Sequence, residues 1–152
     1  MTVKSIHLNA SMKHWDEFME FIDNLSEIEA FSSVKSYRFK LAAEELLSNI
    51  VRSSESAFQS TNLMATLRID SEVLNLSGKH ILQVVLIDDA PQFDPKFDQL
   101  QPPEHIDDPV ALRPIGGLGL YLVKDSVDSI VYKYSDSRNI YTLQMELDDP
   151  LG

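Results

Sequence analysis

The chain contains no cysteine. That excludes disulfides, thiolate catalysis and cysteine-ligated zinc. No run approaches the roughly 20 apolar residues of a membrane span, so no membrane association is expected. The segment from Met1 to His7 lacks the apolar stretch of a secretory signal, and a cytoplasmic location is expected. Basic residues are few, 13 against 24 acidic ones, giving a net charge of −11. Such a surface repels phosphate backbones, so direct nucleic-acid binding is not expected. Glycine is also scarce, with five residues in all, yet three of them crowd into positions 116–119.

What is present suits one globular domain spanning residues 1–152. A chain of this length can bury roughly 70% of its unfolded surface and needs no metal or disulfide to fold. Val3 to Asn9 predicts a strand. Ser11 is placed to cap a helix from Lys13 to Ile28, where Trp15, Phe18, Met19, Ile22 and Leu25 recur at helical spacing. A second helix is expected from about Val34 to Ser53, capped by Ser32 or Ser33. Strands at Asn62 to Asp70 and Ile81 to Asp88 flank a turn near Gly78 and Lys79. Six of the seven prolines then fall between Pro91 and Pro114. A loop that long inside a compact domain is often functional, and 94–113 is expected to form a lid. A helix starting near Gly116 to Leu118 runs to about Val127, followed by strands Ser129 to Tyr134 and Ile140 to Leu147. This order predicts an α+β two-layer sandwich: a mixed, mostly antiparallel sheet with helices on one face.

Three short stretches carry the chemistry. In the second helix, Glu45 and Asn49 are four residues apart, so they are neighbours on one face. They fall at one edge of the apolar arc made by Ala42, Ala43, Leu46, Leu47, Ile50 and Val51, whereas Glu44 falls at the solvent edge. An amide oxygen is a neutral hard ligand suited to Mg²⁺, and a carboxylate beside it can take a proton from a hydroxyl. An ordinary solvated pair would carry the same residues. Next, the apolar run Leu82 to Ile87 ends at Asp88-Asp89-Ala90. A carboxylate at a buried strand end requires a donor. A backbone N–H would serve, and so would the exocyclic amine of adenine. Ala90 is small enough for a flat ring to pass the backbone, and Phe93 could cover it. Finally, Gly116, Gly117, Leu118 and Gly119 open an amphipathic helix. There glycines let backbone N–H groups approach an anion, and the helix start supplies the positive potential that the acidic surface lacks. A flexible loop is the plain alternative. An ordinary P-loop signature is absent.

Taken in order, these blocks resemble the ATP-binding domain shared by gyrase, the heat-shock chaperone, histidine kinases and the mismatch-repair ATPase, the GHKL superfamily with the Bergerat fold. The resemblance covers about residues 5–147. Within that superfamily the chain looks most like small serine/threonine kinases that act as bacterial anti-sigma factors. The stretch Pro114 to Gly119, with Asp128, Tyr132 and Arg138-Asn139, is similar to that group. The resemblance implies ATP or ADP and Mg²⁺ as cofactors. It implies that Glu45 is the general base and Asn49 the Mg²⁺ ligand. Asp88 would contact the adenine amine, and Gly116, Gly117 and Gly119 would surround the phosphates. Lys124, one turn into the last helix, would assist with the triphosphate. The implied phosphorylation substrate is a serine on a small anti-sigma-factor antagonist of the STAS type, and the same face can hold a sigma factor.

Three positions depart from that pattern. Ala90 stands where the family often has glycine, Ser53 where it often has histidine, and Arg113 lies at an offset that does not match a γ-phosphate arginine. These motivate an alternative from another class, a nucleotide-gated module that sequesters a partner without useful kinase activity. A detached histidine-kinase catalytic domain fits less well, because no dimerising hairpin with a phospho-accepting histidine is present. His7, His14, His80 and His105 are expected to be incidental surface residues. Trp15 fits either a core position or part of a homodimer face.

Overall fold

In this computed structural model the described residues are 3–27, 31–59, 61–97 and 117–148. Five strands and three helices follow in the order β1 (Lys4–Asn9), α1 (Trp15–Ser26), α2 (Ser33–Ala57), β2 (Thr66–Leu76), β3 (Lys79–Asp88), α3 (Gly117–Ser126), β4 (Ser129–Ser135) and β5 (Arg138–Glu146). A 3₁₀ turn, Met12–His14, precedes α1, with the Ser11 side chain accepting from the Lys13 N–H as its cap. Ser32 caps α2 in the same way by accepting from the Lys35 N–H.

Alternation along the strands decides which face is buried. Leu67 and Ile69 of β2, Leu82, Val84 and Leu86 of β3, and Tyr141, Leu143 and Met145 of β5 all point into one core. The opposite face carries polar pairs such as Arg68–Asp70 at 2.9 Å and Gln144–Gln83 at 2.7 Å. The strand order is β1-β2-β3-β5-β4, and every pairing is antiparallel. The parallel component of a mixed sheet is therefore not seen among the described strands. Two-residue turns join both hairpins. Ser77 and Gly78 link Leu76 to Lys79, and Asp136 and Ser137 link Ser135 to Arg138. All four turn residues have positive φ, the backbone twist that matches paired strands.

The helices cover the apolar face. α1 contributes Phe18, Ile22 and Leu25, with Trp15 half-buried against the same core. α2 contributes Phe39, Ala42, Ala43, Leu46, Leu47, Ile50 and Val51, the periodicity of one helix face. Each buried Phe, Leu, Ile or Val among them stabilises the fold by about 1.5–3 kcal/mol relative to exposure. α2 extends one turn beyond the expected end at Ser53, because Ser54 faces the core and Glu55 lies close to Ser11 and Met12.

Contacts at both ends of α2 fix its position over the sheet. Near its start, the Lys35 ammonium donates to the carbonyl of Glu146 at the end of β5. Near its end, Glu55 lies beside the segment after β1. Asn9 pairs with Thr66, and Leu67 pairs with Asp88. The C-terminal half of α2 therefore lies at the Asp88 end of the sheet. Leu86, 1% exposed and two residues before Asp88, tests this packing. Leu86→Ala should lower unfolding free energy by about 2–5 kcal/mol in urea denaturation, with little change in the slope.

Candidate functional site

Glu45 and Asn49 are both half-buried on α2, while Glu44 is exposed, as their places around the helix predict. The Asn49 Nδ2 donates to the Glu45 carbonyl at 2.8 Å. The amide nitrogen is thus used by the helix, and no described residue donates to the amide oxygen. α3 meets these two residues at Gly119. A Cβ at that position would lie 2.7 Å from Glu45 Oε2 and 3.8 Å from Asn49 Nδ2. A methyl there would displace the Glu45 carboxylate, the mobile end of its side chain.

α3 runs antiparallel to α2. Gly119 sits against Glu45, while the Asp125 carbonyl at the other end of α3 accepts from the Arg38 guanidinium at 3.2 Å, further back along α2. The N-terminus of α3 therefore points toward the Asp88 end of the sheet. The first four N–H groups of a helix have no intrahelical partner and carry partial positive charge. In a chain of net charge −11 this is a local source of positive potential. Of the glycine stretch, Gly117 and Leu118 begin α3, and Gly116 lies outside the described residues. Lys124 is exposed in the last turn of α3, not one turn from its start. There it complements the negative end of the helix dipole.

The second cluster closes β3. Asp88 is 3% exposed. Its Oδ1 accepts from the Ala90 N–H at 3.0 Å and from Asn139 Nδ2 at 2.8 Å. Burial pushes its carboxyl from the ordinary 3.8 up to about 6, against the lowering effect of those two donors, and neighbouring Asp89 pushes the same way as burial. Asp89 itself turns outward, accepting from the Thr66 N–H and hydroxyl at 2.7 and 3.2 Å. The two adjacent aspartates thus separate into a strand tie and a buried acceptor. Both expected partners of Asp88 can be met at once, since the backbone donor occupies one oxygen. Ala90 is buried beside it. Phe93 is 38% exposed and is tied down by its backbone, its N–H donating to Asn139 Oδ1 at 3.0 Å. Of the expected lid, 94–97 are described and 98–113 lie outside the described residues.

Asn139 and Tyr132 are site residues that motif spacing did not single out. Asn139 is 1% exposed on β5, and the Tyr132 hydroxyl of β4 donates to its Oδ1 at 2.5 Å. The signal was available in the alternation Asn139, Tyr141, Leu143, Met145. An asparagine on the inward register of such a strand is a buried polar group that requires partners.

These two clusters suit a magnesium nucleotide. Gly119 leaves the Glu45 carboxylate beside the α3 backbone, the Asn49 oxygen is a hard neutral ligand, and the Asp88 carboxyl is a buried acceptor. Among the described residues no group of three or more His, Cys, Asp or Glu could hold a metal by itself. That agrees with Mg²⁺ chemistry, in which substrate phosphates and waters supply most ligands.

The Asp88 carboxyl also has a stability consequence. A folded-state value above the unfolded one means the native chain binds the proton more tightly. Stability from this group is present below about pH 4 and is lost as pH rises through about 6. The difference from 3.8 to about 6 corresponds to about 3 kcal/mol at pH 7–8. Asp88→Asn should therefore be more stable than the parent by up to about 3 kcal/mol at pH 8 and indistinguishable from it at pH 3.5. Paired urea titrations at the two pH values check this.

Among the described residues no helix is long and apolar enough to cross a membrane. No curated protein matches the chain. A family model, that of the histidine kinase-like ATPase domain, matches residues 8–145. That span contains both clusters and the helix junction between them. With the antiparallel sheet, the amide-bearing helix and the glycine-led α3 in place, the chain belongs to the histidine kinase-like ATPase domain family.

Proposed function

We propose that the protein is an ATP-dependent protein serine/threonine kinase that acts as an anti-sigma factor. Its substrate would be a serine on a small STAS-type antagonist, and its alternative partner a sigma factor. The observation that carries the kinase reading is the contact at Gly119. It brings the Glu45 carboxylate and the Asn49 side chain beside the first turn of α3. The anti-sigma assignment rests on the resemblance of the Pro114–Gly119, Tyr132 and Arg138-Asn139 segments.

ATP would supply the transferable phosphoryl group, and Mg²⁺ would neutralise charge on its phosphates. Asn49 would hold the metal through its side-chain oxygen. The first N–H groups of α3 would serve the phosphates, and Asp88 would accept the hydrogen bond from the adenine amine. Glu45 would take the proton of the partner's serine hydroxyl as the serine oxygen bonds to the γ-phosphorus and the bond to the ADP oxygen breaks. Positioning and fixed dipoles do most of this work, because phosphoryl transfer asks little covalent chemistry of the protein.

The test is transfer of label from γ-labelled ATP to the cognate antagonist in the presence of Mg²⁺. Glu45→Gln should lower the transfer rate by roughly 10²–10⁴-fold with nucleotide affinity within a few-fold of the parent. Transfer by Glu45→Gln at the parental rate removes Glu45 as base. Gly119→Ala should fold normally, since the atom its methyl meets is the end of a flexible side chain, but displace the Glu45 carboxylate and slow transfer. Tight, nucleotide-dependent capture of a partner with no label transferred would favour the sequestering module instead.

A further inference from the structure

The amide of Asn139 is used to capacity. Its Nδ2 donates to Asp88 Oδ1 at 2.8 Å, to the Pro91 carbonyl at 3.1 Å and to the Ala90 carbonyl at 3.2 Å. Its Oδ1 accepts from the Tyr132 hydroxyl at 2.5 Å and the Phe93 N–H at 3.0 Å. These partners fix which way the amide points. The Phe93 N–H can only donate, so an oxygen must face it. The Ala90 and Pro91 carbonyls can only accept, so the nitrogen must face them. Reversing the amide would set donor against donor and acceptor against acceptor in a buried site. Asp88 therefore always meets an N–H at that position.

The consequence falls on Asp88. Oδ1 is taken by Asn139 and the Ala90 N–H, and no described residue donates to Oδ2. An ionised carboxylate is an acceptor at every lone pair, whereas the protonated acid carries a donor. An amino group at purine position 6 requires the acceptor. A keto group at that position requires the donor. The charge state of Asp88 thus decides which purine it fits. The titratable and charged groups facing it are Asp89, Asp94, Tyr132 and Tyr141, all acidic or neutral. Among the described residues no cation stabilises the carboxylate, so two neutral donors carry that role, and only one of them is a side chain.

We propose that Asn139, held in orientation by Tyr132 and the Phe93 N–H, is a positioning residue for nucleobase choice: it keeps Asp88 an acceptor with one oxygen presented, so the site takes a 6-aminopurine and rejects a 6-oxopurine. This rests on the nucleotide reading above and goes beyond it by assigning selectivity to a residue that does not touch the base.

The test uses the full chain and two readouts. The first is carbon-13 NMR titration of the Asp88 carboxyl without nucleotide. The parent should titrate near 6. Asn139→Ala should titrate at higher pH, and Tyr132→Phe should move the same way by less, because it loosens the amide without removing it. Asn139→Asp, nearly the same shape, should move it furthest by setting a second carboxylate against the first. The second readout is the affinity ratio for ATP over inosine triphosphate, its 6-oxo analogue, at pH 7. That ratio should fall by roughly tenfold or more in Asn139→Ala. Thermal melting confirms folding, and Tyr132→Phe keeps the test open if Asn139→Ala does not fold. Unchanged titration and unchanged ratio in folded variants of a nucleotide-binding parent overturn the proposal. A parent that binds neither nucleotide overturns the nucleotide reading and the base choice together, while the ligand-free titration still reports the Asn139–Asp88 link by itself.

Discussion

Everything at the cleft depends on how closely α3 can lie against α2. They meet where Gly119 lies beside the Glu45 carboxylate, so that even a methyl there would displace that carboxylate. Because α3 runs back along α2, its positive end points toward the buried aspartate. The Glu45 carboxylate, the Asn49 side chain and the first N–H groups of α3 thus lie together. In so acidic a chain, that arrangement concentrates attraction for phosphate at one place and leaves the remaining surface repulsive.

The second half of the cleft obeys a different logic. Asp88 is held where a charge is costly, and the fold tolerates it through hydrogen bonds from neutral groups. A buried group that lowers stability near neutral pH is the expected mark of a position kept for binding. The core around it does the opposite work. Leu82, Val84 and Leu86 bring β3 to the cleft on a rigid strand, so the carboxylate is delivered by packing and not by a loop.

Much of this was legible from residue order. Helical spacing placed Glu45 and Asn49 at the edge of the apolar arc, and both are half-buried there, with Glu44 in solvent. The strands and helices follow in the expected order, and the helices cover one face. What stayed hidden has physical causes. The last hairpin reads as a five-residue turn from Ser135 to Asn139, because Asp, Ser, Arg and Asn are turn formers. Strand pairing overrides that preference and shortens the turn to two residues, which puts Asn139 on the inward register. Lys124 reads as one turn into its helix, yet α3 begins at Gly117 and carries it in the last turn. β3 and β4 run in the same direction, but β5 lies between them, so no parallel pairing appears among the described strands.

That shortened hairpin has one more implication. Asp136 and Ser137 both occupy left-handed backbone conformations that glycine would adopt more easily. The local geometry is thus less comfortable than it needs to be, but its length sets the frame for all of β5. Adding or deleting a single residue there would exchange the strand's two sides, turning Asn139 outward and Ile140 inward. The cleft would lose its buried amide although the cleft-lining residues themselves were untouched, so the length of this turn is constrained by the chemistry of the neighbouring aspartate.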